Sequence, residues 1–194
     1  MKHRYSIYIT RDIKVAKEKL RERHRKIASM NGDDNETRMG ILMSSNAERL
    51  RPYGYASAGA SKSYSKIASW FLDPDEYVTS SNFLEIALDE FCVQGLELDL
   101  DVVMWDGDLR YNVKTNNWDY YKFNGKVWSP VDKTKTNYEL QQFYMKNAYR
   151  VLLTRARKGM IIFVPEGDSI DKSRDKEVYD DTFSFLKSLG FELL

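Results

Sequence analysis

The chain is poor in the residues that build cross-links and metal centres: it has one cysteine, Cys92, and two histidines, His3 and His24, among 194 residues. One thiol forms no intrachain disulfide, and no Cys/His spacing for a structural zinc exists. Long apolar runs are missing as well. With a mean hydropathy of −0.58, this predicts a soluble protein with no membrane partner. The opening residues lead straight into a strand-like segment at Tyr5 rather than into an apolar signal core, so a cytoplasmic location is expected. Positive charge is absent from one long stretch, since Ile67 to Leu109 contains no Lys or Arg. The net charge is +1 all the same, from 30 basic and 29 acidic residues. The cations are therefore concentrated before Ile67 and again from Arg110 to Lys158. Such blocks either line a phosphate-bearing ligand or form solvated surface.

What is present suits one domain over residues 1–194, with 42% hydrophobic and 13% aromatic residues to fill a core. Tyr5 to Thr10 alternates like a strand, and Ile13, Ala16, Leu20 and Ile27 follow at helical spacing. Turn residues at Met30 to Asn35 precede a buried strand at Met39 to Ser44, which predicts a parallel strand pair with a right-handed crossover. Arg51 to Lys66, rich in Gly, Ser, Ala and Tyr, reads as a loop region. Strands are expected at Phe83 to Leu88 and Leu100 to Trp105, with a glycine turn between them. Asn124-Gly125 between two β-prone runs predicts an aromatic hairpin over about 110–131. Tyr138 to Arg157 reads as a helix with Gly159 as its C′ residue, followed by a strand at Met160 to Pro165 and a closing helix over about 177–189. The alternation predicts an α/β fold with a mainly parallel sheet covered on both faces, whose ligands bind at the carboxyl ends of the strands.

Two segments carry the chemistry. Phe91 to Asp99, with Gln94-Gly95-Leu96-Glu97, resembles motif V of superfamily 1 helicases, and Tyr149 to Phe163, with Thr154-Arg155-Ala156, resembles motif VI. Further counterparts at Tyr8 to Asp12, Ser44 to Pro52, Trp105 to Tyr111 and Val164 to Asp168 make nearly the whole chain similar to the Schlafen-group-3-like DNA/RNA helicase domain. The resemblance implies a three-layer RecA-like fold of the P-loop NTPase type, namely the second motor domain, with an inserted β-hairpin. It implies ATP with Mg as cofactor, and Arg155 as an arginine finger on the γ-phosphate. Gln94, Gly95, Glu97 and Arg157 are implied as nucleotide contacts: a glycine admits a phosphate close to the backbone, and a glutamate accepts from a ribose hydroxyl.

No Gly-x-x-x-x-Gly-Lys-Ser/Thr occurs in the chain. The phosphate cradle is expected on an N-terminal Walker domain, the chain's implied partner, and the chain alone is expected not to hydrolyse ATP. Single-stranded DNA or RNA is the second implied partner. Lys122, Lys126 and Trp128 are candidate contacts, because single-strand binders combine cations with stacking rings. A stand-alone nucleic-acid-binding module is one alternative. Another is a Mg-dependent nuclease built on Glu97, Asp99, Asp101, Asp106 and Asp108. In that row Asp99 and Asp101 would share a strand face, and Asp106 and Asp108 read as solvated ends in a turn.

Overall fold

The computed structural model describes residues 5–31, 37–56 and 63–194. Most of the turn expected at Met30 to Asn35, and residues 57–62 of the expected loop region, lie outside them. Strand β1 (Ser6–Thr10) leads into helix α1 (Ile13–Asn31), whose first turn is capped by the Asp12 carboxylate accepting from the Lys14 and Val15 amides at 2.7 and 3.4 Å. Ala16, Leu20 and Ile27 face inward as their spacing predicts, and all three are buried. Strand β2 (Met39–Met43) follows, then helix α2 (Tyr64–Leu72), the two-residue strand β3 (Ala87–Leu88) and strand β4 (Leu98–Met104). After a small antiparallel unit come α3 (Tyr138–Leu152), β8 (Ala156–Phe163), α4 (Glu177–Ser188) and β9 (Glu192–Leu193).

Six strands form one sheet in the order β3-β2-β4-β8-β1-β9, and every neighbouring pair is parallel. Helix α1 covers one face through a cluster containing Leu20, Ile41, Val102 and Phe163. The other face is covered by α2, α3 and α4, which contribute Trp70, Leu152 and Tyr179 to two further clusters. This is the three-layer α/β arrangement of RecA-like domains. Strands β1 and β2 are parallel but are not partners, because β4 and β8 lie between them. The expected crossover therefore spans the middle of the sheet.

The antiparallel unit is a meander rather than a single hairpin: β5 (Leu109–Asn112), β6 (Asn117–Phe123) and β7 (Trp128–Pro130). Its second turn is the Asn124-Gly125 turn that the sequence predicts. Asn124 Oδ1 accepts from the Lys126 and Val127 amides, and Gly125 takes φ +90°. The meander is fastened by its rings: Tyr111 stacks on Phe185 with centroids 3.7 Å apart, and Trp118 stacks on Trp105 at 5.4 Å.

The end of α3 corrects the sequence reading. The helix stops at Leu152 instead of Arg157, closing with i→i+3 bonds from Thr154 to Val151 and from Arg155 to Leu152. The next residues are taken by the sheet, since the Leu98 amide donates to the Arg155 carbonyl at 3.0 Å and Ala156 pairs with Leu98. Arg157 and Lys158 thus lie in β8, and Gly159 is a strand residue rather than a helix terminator. Leu98 pairs with Ala156 and Leu100 with Gly159, so Asp99 faces two residues, the signature of a β-bulge. Gly159 has φ +148°, and a Cβ there would stand 2.8 Å from the Ser6 carbonyl and from both terminal nitrogens of Arg23. Gly159→Ala is expected to cost about 2–3 kcal/mol from strain and crowding, read as a lower urea midpoint with an unchanged denaturant slope.

Candidate functional site

Strands β4 and β8 are the central pair of the sheet, and the segments that lead into their amino ends meet there. Before β4, Asp89 Oδ1 accepts from the Cys92 amide, and the Leu96 amide donates to the Val93 carbonyl, which curls residues 89–96 into a compact turn. Gly95 completes it with φ +82°, and nothing stands within 4 Å of where its Cβ would be. The glycine is therefore required by its backbone conformation, and it faces open space. Gln94 and Glu97 are exposed on either side. Gln94 also lines a cleft of about 370 Å³ shared with Phe91, Tyr144, Asn147 and Val151.

Before β8, Arg155 folds back over the same corner. Its Nε donates to the Val151 carbonyl at 3.0 Å, Nη1 to the Leu96 carbonyl at 3.4 Å and Nη2 to Thr154 Oγ1 at 3.2 Å. The half-buried guanidinium so ties the end of α3 to the glycine turn without an acidic partner among the described residues. The structure brings Gln94, Gly95, Glu97 and Arg155 together although nearly sixty positions separate the turn from the arginine in sequence. They sit at the amino ends of their strands, not at the carboxyl ends where α/β ligands are commonly sought. The reason is local: both segments precede their strands.

Arg157 stands beside this group on the bulge. The two bulged cations converge on one carboxylate, with Arg157 Nη2 3.1 Å and Lys158 Nζ 2.9 Å from Asp99 Oδ1, while Asp99 Oδ2 accepts from the Arg38 amide at 2.9 Å. Glu97 lies 3.8 Å from Arg157. Asp99 is thereby saturated, a pairing hidden in the sequence because the bulge that aligns both cations is set by strand register. Asp101, two residues on, is fully buried in β4, and neither of its oxygens has a hydrogen-bond partner among the described residues. Burial holds its pKa well above the usual carboxylate range, and the Arg155 charge pulls it partly back. An acid inside the apolar run Leu100 to Trp105 was the signal for this position.

The row of carboxylates does not converge as a nuclease centre. At about 3.3 Å per strand residue, Asp99 and Asp106 are separated by on the order of 20 Å, and among the described residues no three Asp, Glu, His or Cys side chains gather around a possible ion. Asp106 and Asp108 are also not solvated ends, being 1% and 0% exposed. Tyr179 Oη and the Gly107 amide donate to Asp106 Oδ1 at 3.0 and 2.7 Å, and the Arg49 amide donates to Oδ2 at 2.8 Å. Asp108 accepts from Ser44 Oγ at 2.7 Å and Tyr149 Oη at 2.6 Å. Burial first, and the neighbouring Asp108 charge second, push Asp106 up to about 7 against these hydrogen bonds. The tyrosine that opens the Tyr149-to-Ala156 segment therefore anchors α3 at the opposite end of the sheet from Arg155.

The three expected nucleic-acid residues divide. Lys122 on β6 and Lys126 in the Asn-Gly turn are exposed. Trp128 is engaged internally: its indole N–H donates to the Ser173 carbonyl at 2.8 Å, its ring packs against Gly107 and Phe123, and Arg110 lies over it. It is not a free stacking platform.

Comparison with known families gives a match of residues 1–166 to the model described as Schlafen group 3, DNA/RNA helicase domain. No curated protein and no solved structure matches the chain.

Proposed function

Because the chain belongs to the Schlafen group 3 DNA/RNA helicase domain family, we propose that it acts as the second motor domain of an ATP-dependent superfamily 1 helicase or translocase. In this reading it forms one wall of a nucleotide site whose other wall is an N-terminal Walker domain. The carrying observation is the junction of the Gln94–Glu97 turn with Arg155 at the amino ends of the two central strands.

Each residue has a chemical part in this reading. The open space above Gly95 lets a phosphate approach the backbone amides closely. Gln94 and Glu97 flank that space as exposed polar groups, and in this reading Glu97 accepts from a ribose hydroxyl. Arg155 is the arginine finger. Its present partners are neutral carbonyls and a hydroxyl, and a phosphate would compete well, because it adds an opposite charge and can accept two parallel N–H bonds from the guanidinium. Arg157 supports the wall through Asp99 and Glu97. In this reading the magnesium ion of ATP is held by the Walker domain together with the phosphates. Single-stranded DNA or RNA is the ligand on which the motor would act, with Lys122 and Lys126 available to its phosphates.

Steady-state phosphate release is the test. The purified chain is expected to give none, because phosphoryl transfer needs the phosphate cradle it lacks. Joined to the Walker domain of its parent protein, it is expected to support turnover that single strands stimulate. Turnover by the chain alone that disappears on mutating Arg155 would contradict the proposal.

A further inference from the structure

Helix α1 carries seven Lys and Arg against two Glu, a dense cationic element in a chain whose formal net charge is +1. Ala16, Leu20, Ile27 and Ala28 are turned onto the sheet, which leaves the cations on the outer face and flank. Where that flank meets the amino ends of β1 and β8, a cleft of about 220 Å³ opens, lined chiefly by Tyr8, Lys19, Glu22, Arg23, Lys26 and Lys158. Four cations there face one carboxylate. Lys19 pairs with Glu22 at 3.0 Å, and Lys158 is held by Asp99 at 2.9 Å. Arg23 and Lys26 form no ion pair among the described residues.

Arg23 is the fixed part of the cleft. Its Nη2 donates to the Lys158 carbonyl at 3.0 Å, and its guanidinium lies over the Tyr8 ring, 5.3 Å from the centroid. Lys19 stands over the same ring at 5.6 Å. Gly159 admits the guanidinium, because any Cβ there would lie 2.8 Å from both terminal nitrogens. The second nitrogen, Nη1, is enclosed and has no acceptor among the described residues. A buried donor left without an acceptor bears its desolvation cost unrelieved. A guanidinium preorganised over a ring, beside Lys26 that has no ion pair and Lys19 and Lys158 whose charges are each shared with one carboxylate, is the chemistry that recognises a phosphate. The space is smaller than the about 300 Å³ at which pockets for whole organic ligands begin, so a single phosphate group fits it better than a complete nucleotide.

We infer that the cleft between α1 and the amino ends of β1 and β8 is a phosphate-binding site, whose ligand is a phosphodiester group of a nucleic-acid backbone tracking the basic helix. It is separate from the Lys122–Lys126 turn, and it does not depend on the part assigned to Arg155.

The test uses two probes on the folded chain: a fluorescein-labelled 20-nucleotide oligothymidylate followed by anisotropy over a salt series, and inorganic phosphate followed by NMR at the Gly159 amide. Lys26→Glu, at an exposed and unpaired position, is expected to weaken oligonucleotide binding about tenfold at low salt. It should flatten the slope of log K against log salt by about 0.7 for each phosphate that the protein no longer neutralises. The phosphate-induced shift at Gly159 should disappear in the same variant. Arg23→Lys, which keeps the charge and removes the planar fork, should act in the same direction and serves where Arg23→Ala does not fold. Loss of both signals supports the site and its nucleic-acid ligand. Loss of the phosphate shift with oligonucleotide binding unchanged supports the site and assigns it to free phosphate or a mononucleotide instead. Unchanged phosphate shift and oligonucleotide affinity in folded Lys26→Glu and Arg23→Lys, with binding lost in Lys122→Glu or Lys126→Glu, overturn the inference.

Discussion

Arg155→Ala, in a protein where this chain is joined to its Walker domain, is expected to lower kcat on the order of 10³ while changing ATP affinity much less, because an arginine finger meets charge that develops mainly in the transition state. The substitution also removes the ties from the guanidinium to Val151 and Leu96. Such bonds from a charged donor contribute about 1.5–3 kcal/mol each at most, less than the about 5–15 kcal/mol of a typical domain, so a folded variant should be obtainable and circular dichroism would check it. Arg155→Lys should rescue only part of the rate, since an ammonium is a point charge without a fork. Arg157→Ala provides the contrast: its guanidinium shares Asp99 with Lys158, which remains after the substitution. Turnover should stay near normal and stability should fall by less than about 1 kcal/mol, as for a partly exposed ion pair.

The second large effect lies at the carboxyl end of the sheet and is read in stability. The Asp106 carboxyl is raised from 3.8 to about 7. Between those values the folded protein keeps a proton that the unfolded chain has released, so stability should fall as pH rises through this window and level off above it. At about 1.4 kcal/mol per unit, the fall is on the order of 4 kcal/mol. Asp101 and Asp108, also raised by burial, act in the same direction. The acids held low, Asp168, Asp171 and Asp175, act oppositely, as pH drops below the ordinary carboxylate range. Urea denaturation at pH 5.0 and about 7.5 should therefore show the greater stability at the lower pH. Asp106→Asn should be less stable at pH 5, because its amide would present N–H groups to the Arg49 amide now bound by Oδ2. It should also lose much of the pH slope. A wild-type protein more stable at the higher pH would contradict this account of the buried carboxylates.

What the sequence made legible follows from the range over which each feature is decided. The Asn124-Gly125 turn is settled by a few adjacent residues, and the buried strand expected at Leu100 to Trp105 and found at Leu98–Met104 by its own composition; both could be read directly, the second to within two residues. The end of α3 could not be. Arg155-Ala156-Arg157-Lys158 has strong helix propensity and no β-branched residue, yet β4 claims the segment through Leu98, and β1 pairs with the same strand from Gly159 onward, both far away in sequence. Asp106 and Asp108 looked like turn residues because Tyr149, Tyr179 and Ser44, which bury and bind them, lie 41 to 73 positions away. The glycine turn and Arg155 were legible only as motifs. Their contact is a product of the parallel pairing of β4 with β8, which no local pattern announces.

The central claim, that Arg155 and the Gln94–Glu97 turn form this chain's half of a nucleotide site, is tested most directly by the affinity of the joined protein for a transition-state analogue. ADP with aluminium fluoride would be compared with a non-hydrolysable ATP analogue, in wild type and in Arg155→Ala. An enzyme is complementary to its transition state, so the variant is expected to bind the aluminium fluoride complex weaker by on the order of 10³ and the ATP analogue nearly as well as wild type. Equal affinities of the folded variant and wild type for the aluminium fluoride complex would contradict the claim.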